Sequence, residues 1–122
     1  MPFAALGQTC TTDMQGGRKI ETARYTLAFR TQPEKIDVGR HFSVEVRVCP
    51  RNDAPMPESI QVDAHMPEHR HGMNYKPRVV AAPGGLYRAE GLMFHMPGRW
   101  EFVFDLFSKD RSDRLSQRVV LE

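Results

Sequence analysis

Phe42-Ser43-Val44-Glu45-Val46-Arg47-Val48 places an apolar side chain at every second position and a polar one between, a period of two that an extended chain turns into one buried and one solvated face. The same alternation recurs on either side of it. Tyr25, Leu27 and Phe29 alternate with Thr26, Ala28 and Arg30; Ile60, Val62 and Ala64 with Gln61, Asp63 and His65; Trp100, Phe102, Phe104 and Leu106 with Glu101, Val103, Asp105 and Phe107. Residues 78–82, 87–95 and 115–121 read as three further strands. The first two are joined by Pro83-Gly84-Gly85, whose residues suit a tight hairpin turn.

No segment keeps an i, i+3, i+4, i+7 apolar stripe for three turns, and nine prolines with nine glycines interrupt the chain at short intervals. The pattern predicts an all-β fold: an immunoglobulin-like antiparallel β-sandwich of about seven strands, with rows such as Trp100, Phe102 and Phe104 facing the core. A small closed barrel is the alternative that the same strands allow. A chain of 122 residues has room for one core. Residues 24–122 read as a single sandwich domain and residues 1–23 as an irregular N-terminal arm.

Seventeen Lys and Arg against fifteen Asp and Glu leave a net charge of +2. The basic residues are scattered, without the concentrated footprint of a nucleic-acid binder, so no DNA or RNA partner is expected. No apolar run approaches the ~18 to 20 residues that span a bilayer, and the chain as it stands reads as soluble. Residues 1–7, ahead of Cys10, read as the flank of a cleaved leader or of an anchoring segment, the second of which would tie the native precursor to a membrane. Cys10 and Cys49 have no CxxC spacing. A disulfide, two inert thiols and soft metal ligands are the choices, with the disulfide favoured in an exported protein. On the chain-entropy account it would stabilise the fold by about 4 kcal/mol.

Histidine and methionine are unevenly placed. Four of the five histidines, His65, His69, His71 and His95, and four of the seven methionines, Met66, Met73, Met93 and Met96, fall between residues 65 and 96. They form two clusters, His65-Met66-Pro67-Glu68-His69-Arg70-His71-Gly72-Met73 and His95-Met96-Pro97-Gly98. Imidazole suits copper, zinc and nickel, and thioether sulfur adds selectivity for Cu(I), so the mixture points to copper. Zinc would more often recruit Cys, Asp or Glu. Topology tests whether the clusters meet: with one strand, residues 78–82, between 60–65 and 87–95, those two strands run the same way and end at one pole. Without it the clusters would stand about 20 Å apart.

Each residue also has a plainer reading. His41 reads as a solvated surface histidine and is left out of the site. Met93 reads as core filler beside Leu92 and Phe94, and Met66 as pointing inward with Ala64. Trp100 reads as a core anchor, its alternation with Phe102 and Phe104 sufficing. Grouping of the four histidines in a polar loop also occurs without function. No Gly-x-Ser-x-Gly elbow, phosphate-binding Gly loop or His-Glu-x-x-His is present, so no enzyme is expected.

Met66-Pro67-x-His69-x-His71-Gly72, Gly85-x-Tyr87 and the string Gly91-Leu92-x-Phe94-x-Met96-Pro97-Gly98-Arg99-Trp100 together resemble the YtkA-like domain family, distantly related to FixH-like proteins. The resemblance runs from Tyr25 to Leu121. It implies an immunoglobulin-like sandwich, a periplasmic or otherwise extracytoplasmic location and copper handling, with His69 and His71 matching the His-rich loop and Met96 the turn methionine. His95 adds to that motif, and Cys10 and Cys49 lie outside it.

The sequence thus predicts a periplasmic copper-binding protein that stores, chaperones or delivers Cu(I) or Cu(II). The metal ligands are expected among His65, His71 and His95 first, with His69, Met73 and Met96 as auxiliaries, and the partner is a protein in copper delivery or oxidase assembly. The second reading is a metal-free β-sandwich interaction module or assembly factor docking to a membrane complex. Convergence of the histidines separates the two. A mononuclear copper redox site is a third reading, for which no substrate pocket is apparent.

Overall fold

A computed structural model describes residues 10–122; residues 1–9, and with them the reading of a leader flank, lie outside the described residues. The described residues form nine strands: β1 (Arg18–Glu21), β2 (Tyr25–Gln32), β3 (His41–Pro50), β4 (Ser59–Met66), β5 (His71–Gly72), β6 (Arg78–Ala82), β7 (Leu86–Met93), β8 (Gly98–Phe107) and β9 (Ser112–Leu121). They form two sheets, β1-β2-β3-β7-β6 and β5-β4-β8-β9, with every pairing antiparallel. Setting aside the short β1 and β5, the order β2-β3-β7-β6 against β4-β8-β9 is that of a seven-stranded immunoglobulin constant-type sandwich. The sheets are separate, so the barrel alternative is not realised.

The alternation read from the sequence becomes the core. Leu27, Val44, Val46 and Val48 from one sheet and Trp100, Phe102, Phe104 and Leu106 from the other are fully buried. Phe29 meets Phe102 and Phe104 at 5.5 and 5.0 Å between centroids, and Phe94 stacks on Trp100 at 4.4 Å. Offset and edge-on pairs of this kind add to the burial of large apolar surfaces. Gly84 and Gly85, both at positive φ, turn β6 into β7. A Cβ at Gly85 would lie 2.7 Å from the Val48 carbonyl oxygen, so only glycine fits that turn against β3.

Two boundaries differ from expectation. Residues 18–21, assigned to the irregular arm, pair with β2 as an edge strand. Their Arg-Lys-Ile-Glu sequence buries almost nothing and carries no alternation to read. Strand β7 stops at Met93, so His95 lies in the β7–β8 turn. Cys10 and Cys49 form a disulfide that ties the start of the described chain to the end of β3.

Candidate functional site

β4 and β7 both end at one pole of the sandwich. The intervening β5 is a two-residue stub antiparallel to β4, and β6 is antiparallel to β7, so β5 and β6 both run away from that pole and the expected parity survives. The two His/Met clusters therefore arrive together. His69, His71 and His95 form a row, 5.8 Å between the first two ring centroids and 5.3 Å between the last two. Trp100 closes the row from beneath, its ring 6.1 Å from His71 and 5.5 Å from His95, both nearly perpendicular.

Local structure explains each placement. After β4 the chain reverses with the His69 and Arg70 amides donating to the Met66 carbonyl, at 3.1 and 2.9 Å. Arg70 takes the left-handed conformation at φ 55°, which swings His71 back beside Met66. Residues directly opposite on neighbouring strands share a face. Met66 is buried, so His71, its partner, faces the interior side, whereas His65 and its partner Gly72 face outward. The structure thus separates His65 from the row. Its Nε2 lies 3.0 Å from Glu101 Oε1, across the β4–β8 pair on the outer face.

The hydrogen bonds decide which nitrogens stay free. His71 Nδ1 lies 3.2 Å from the Gly72 carbonyl, and since a carbonyl only accepts, Nδ1 is the donor there, while Nε2 has no hydrogen-bond partner among the described residues. The Nδ1 of His95 is buried and has no hydrogen-bond partner among the described residues. The indole Nε1–H of Trp100 donates to the Met96 carbonyl at 3.0 Å and pins the turn that carries His95 and Met96. Met73 and Met96 are half-buried against the edge of the core, and His69 is exposed. Met66 is buried beneath Gly98, where a Cβ would lie 2.5 Å from the Met66 methyl carbon.

Among the described residues no three His, Cys, Asp or Glu side chains form a metal-binding group. What converges is a smaller set, the two inward imidazoles of His71 and His95 with His69 at the rim, while Met73 and Met96 pack half-buried against the edge of the core. His41 belongs to the same pole. It opens β3 opposite Met93, and its ring is 5.1 Å from that of Tyr75 in the β5–β6 connection. Counting strands places the start of β3 where β7 ends, so His41 was assignable to this pole even though its own neighbours in sequence give no sign of it.

The family model described as YtkA-like matches residues 18–104. The chain belongs to the YtkA-like family. None of the curated proteins matches this YtkA-like domain in sequence. Among solved structures it is similar to the crystal structure of a DUF4426 family protein from Pseudomonas aeruginosa PAO1, with a TM-score of 0.54 at 9% identity, covering 90% of this chain and 99% of that one. At that identity the likeness concerns the fold, and both chains share the all-β architecture.

Proposed function

We propose that this YtkA-like domain is an extracytoplasmic copper-binding module that holds Cu(I) as cargo at the His pole and passes it to a partner protein by ligand exchange. The observation that carries this reading is the buried, unpartnered Nδ1 of His95, 5.3 Å ring to ring from a His71 whose Nε2 is left free. A buried nitrogen without a partner costs about 1 to 3 kcal/mol, and ligation would remove that cost. His71 and His95 supply two imidazoles, and Met96 or Met73 a thioether. Two nitrogens and a soft sulfur favour Cu(I) over zinc, which takes four Cys, His or carboxylate ligands, and over Cu(II), which takes a tetragonal set of nitrogen and oxygen. His69, exposed at the rim, is the group a partner meets first. His65 is occupied by Glu101 and lies outside this set. The Cys10–Cys49 disulfide supports an oxidising compartment outside the cytoplasm.

The test is an anaerobic Cu(I) titration against a chromophoric chelator, with a parallel Cu(II) titration. Three proteins are compared: the parent, a His71→Ala/His95→Ala variant and a His65→Ala variant. The parent and His65→Ala are expected to bind one Cu(I) tightly, with quenching of Trp100, the single tryptophan of the chain, and the double variant to lose both binding and quenching. Weak binding of several ions, unchanged in the double variant, overturns the reading.

A further inference from the structure

Arg40, Arg70 and Lys76 are exposed and make no ion pair among the described residues. All three stand around the His pole. Arg40 precedes His41 at the start of β3, and Lys76 follows Tyr75, whose ring is 5.1 Å from that of His41. Arg70 lies between His69 and His71 in the β4–β5 reversal, and Lys76 borders Gly72 on the side where β4 neighbours β6. Tyr75 is 50% exposed, an amphipathic ring of the kind enriched at interfaces. The acids of this pole are engaged or stand elsewhere. The Glu68 carboxylate is 3.7 Å from Arg99, and Glu101 is held by His65. Glu34, Asp37 and Glu122 line, with Lys35, a cleft of about 390 Å³ between the β2–β3 connection and the end of β9. β9 neighbours β1, on the opposite side of the sandwich from β4 and β6. The pole is therefore divided, with cations beside the His row on the β4–β6 side and carboxylates on the β1–β9 side. At the far pole, Lys109 apart, the basic residues of the connections are paired: Arg24 with Asp110 and Asp113, Arg51 with Glu21, and Arg111 with Asp113.

One exposed cation in water attracts weakly, but several of one sign facing one way raise the rate at which an oppositely charged surface arrives. We infer that the β4–β6 side of the His pole docks an acidic face of the protein that donates or receives the copper, with Arg40, Arg70 and Lys76 meeting its carboxylates and Tyr75 packing between them. Fixed cations repel a free metal ion, which favours copper that arrives already bound to an anionic carrier. Three such residues are fewer than the roughly four to eight that mark a lipid-binding cluster. A membrane lying across the pole would also meet the carboxylates of the cleft, whereas a protein can present acids to one side of the pole alone. A contact led by charges at its rim forms and parts quickly, as handover requires. The role in transfer rests on the copper reading above; the docking does not.

The probe is the acetylated and amidated peptide Met-Asp-Glu-Met-Asp-Glu-Met, compared with its neutral counterpart Met-Asn-Gln-Met-Asn-Gln-Met. Each is added to the metal-free, disulfide-bonded protein and followed by amide NMR. The acidic peptide is expected to shift residues 40–41, 69–71 and 75–76 and to leave 34–37 and 119–122 unmoved. It should dissociate in about 0.5 M sodium chloride, where charges are screened beyond about 4 Å. An Arg40→Gln/Arg70→Gln/Lys76→Gln variant should bind it about tenfold more weakly, and Lys35→Gln as well as the parent. Equal binding of the neutral peptide, shifts centred on the cleft, no shift with millimolar acidic peptide, or tighter binding to phosphatidylserine vesicles than to the peptide overturns the inference. The peptide and vesicle comparisons use the unaltered protein, so none of these outcomes can be a folding defect. Cu(I) carried on the acidic peptide should then reach the protein about tenfold faster at low salt than Cu(I) carried on the neutral one. Equal rates would overturn the steering, whereas docking without any transfer would sink the copper reading and leave the docking in place.

Discussion

The two poles of the sandwich treat their polar groups in opposite ways. At the pole formed by the β1–β2, β3–β4 and β8–β9 connections, Arg24 donates to both carboxylate oxygens of Asp113 through Nε, at 3.2 and 3.1 Å, and to Asp110 through its two terminal nitrogens, at 3.1 and 3.0 Å. The Tyr25 hydroxyl donates to the Pro55 carbonyl at 2.7 Å, Asn52 donates to the Ala23 carbonyl, and Arg51 donates to the Thr22 carbonyl. The disulfide fastens the same end of β3. At the His pole, one buried imidazole nitrogen has no partner among the described residues, the neighbouring histidine spends one nitrogen on an adjacent carbonyl, and a third stands exposed. One end uses its polar chemistry to hold the fold. The other leaves donor atoms unspent, and unspent donors are what a ligand requires.

Four changes sharpen this contrast, in descending order of effect. Reducing the disulfide, or replacing Cys10 and Cys49 by serine, should cost about 4 kcal/mol for a loop spanning 39 positions, read as a lower urea midpoint. An unmoved midpoint would show that the closed pole holds without its staple. Gly85→Ala should cost about 3 kcal/mol, because the added carbon meets the Val48 carbonyl at a left-handed position. It should leave copper affinity alone, because the turn lies at the far pole.

Trp100→Phe should cost about 2 kcal/mol by leaving the Met96 carbonyl without its indole donor, and it should also weaken copper binding by releasing the turn that carries His95. A stability loss with unchanged copper affinity would separate the turn from the site. The smallest effect is acid sensitivity. Hydrogen bonds from Arg24 first, and from Ser108, hold the Asp110 carboxyl down to about 2 from an ordinary 3.8. A lowered carboxyl stabilises the fold above the unfolded value and loses that contribution as pH falls through the folded one. Thermal midpoints of the parent should therefore fall between pH 4 and 2, and Arg24→Gln should flatten that part of the profile. An unchanged profile would remove the clamp from the account of the closed pole.

The strands were legible wherever one face is buried and the other wet, because burial then writes a period of two into the residues. Val44, Val46 and Val48 in β3 and Phe102, Phe104 and Leu106 in β8 are the plainest cases. β1 and β5 were not legible: one is a mostly exposed edge with the single inward residue Ile20 and the other is two residues long, so neither has room for a period of two. The His/Met clusters were legible as composition, and strand parity was enough to bring them to one pole. Which histidine faces which way was not. His65 and His71 lie six positions apart around a reversal, and their faces depend on the Met66–His71 register set by the left-handed Arg70.

The residue pattern by itself determined the all-β class, the core rows, the β6–β7 hairpin and the pole at which histidine and methionine gather, because each follows from local periodicity or turn chemistry. Only the tertiary structure decided that Glu101 occupies His65 and that His95 keeps a buried nitrogen without a hydrogen-bond partner among the described residues. Each of these depends on which group of a distant strand lies within hydrogen-bond reach, and sequence order does not carry that distance.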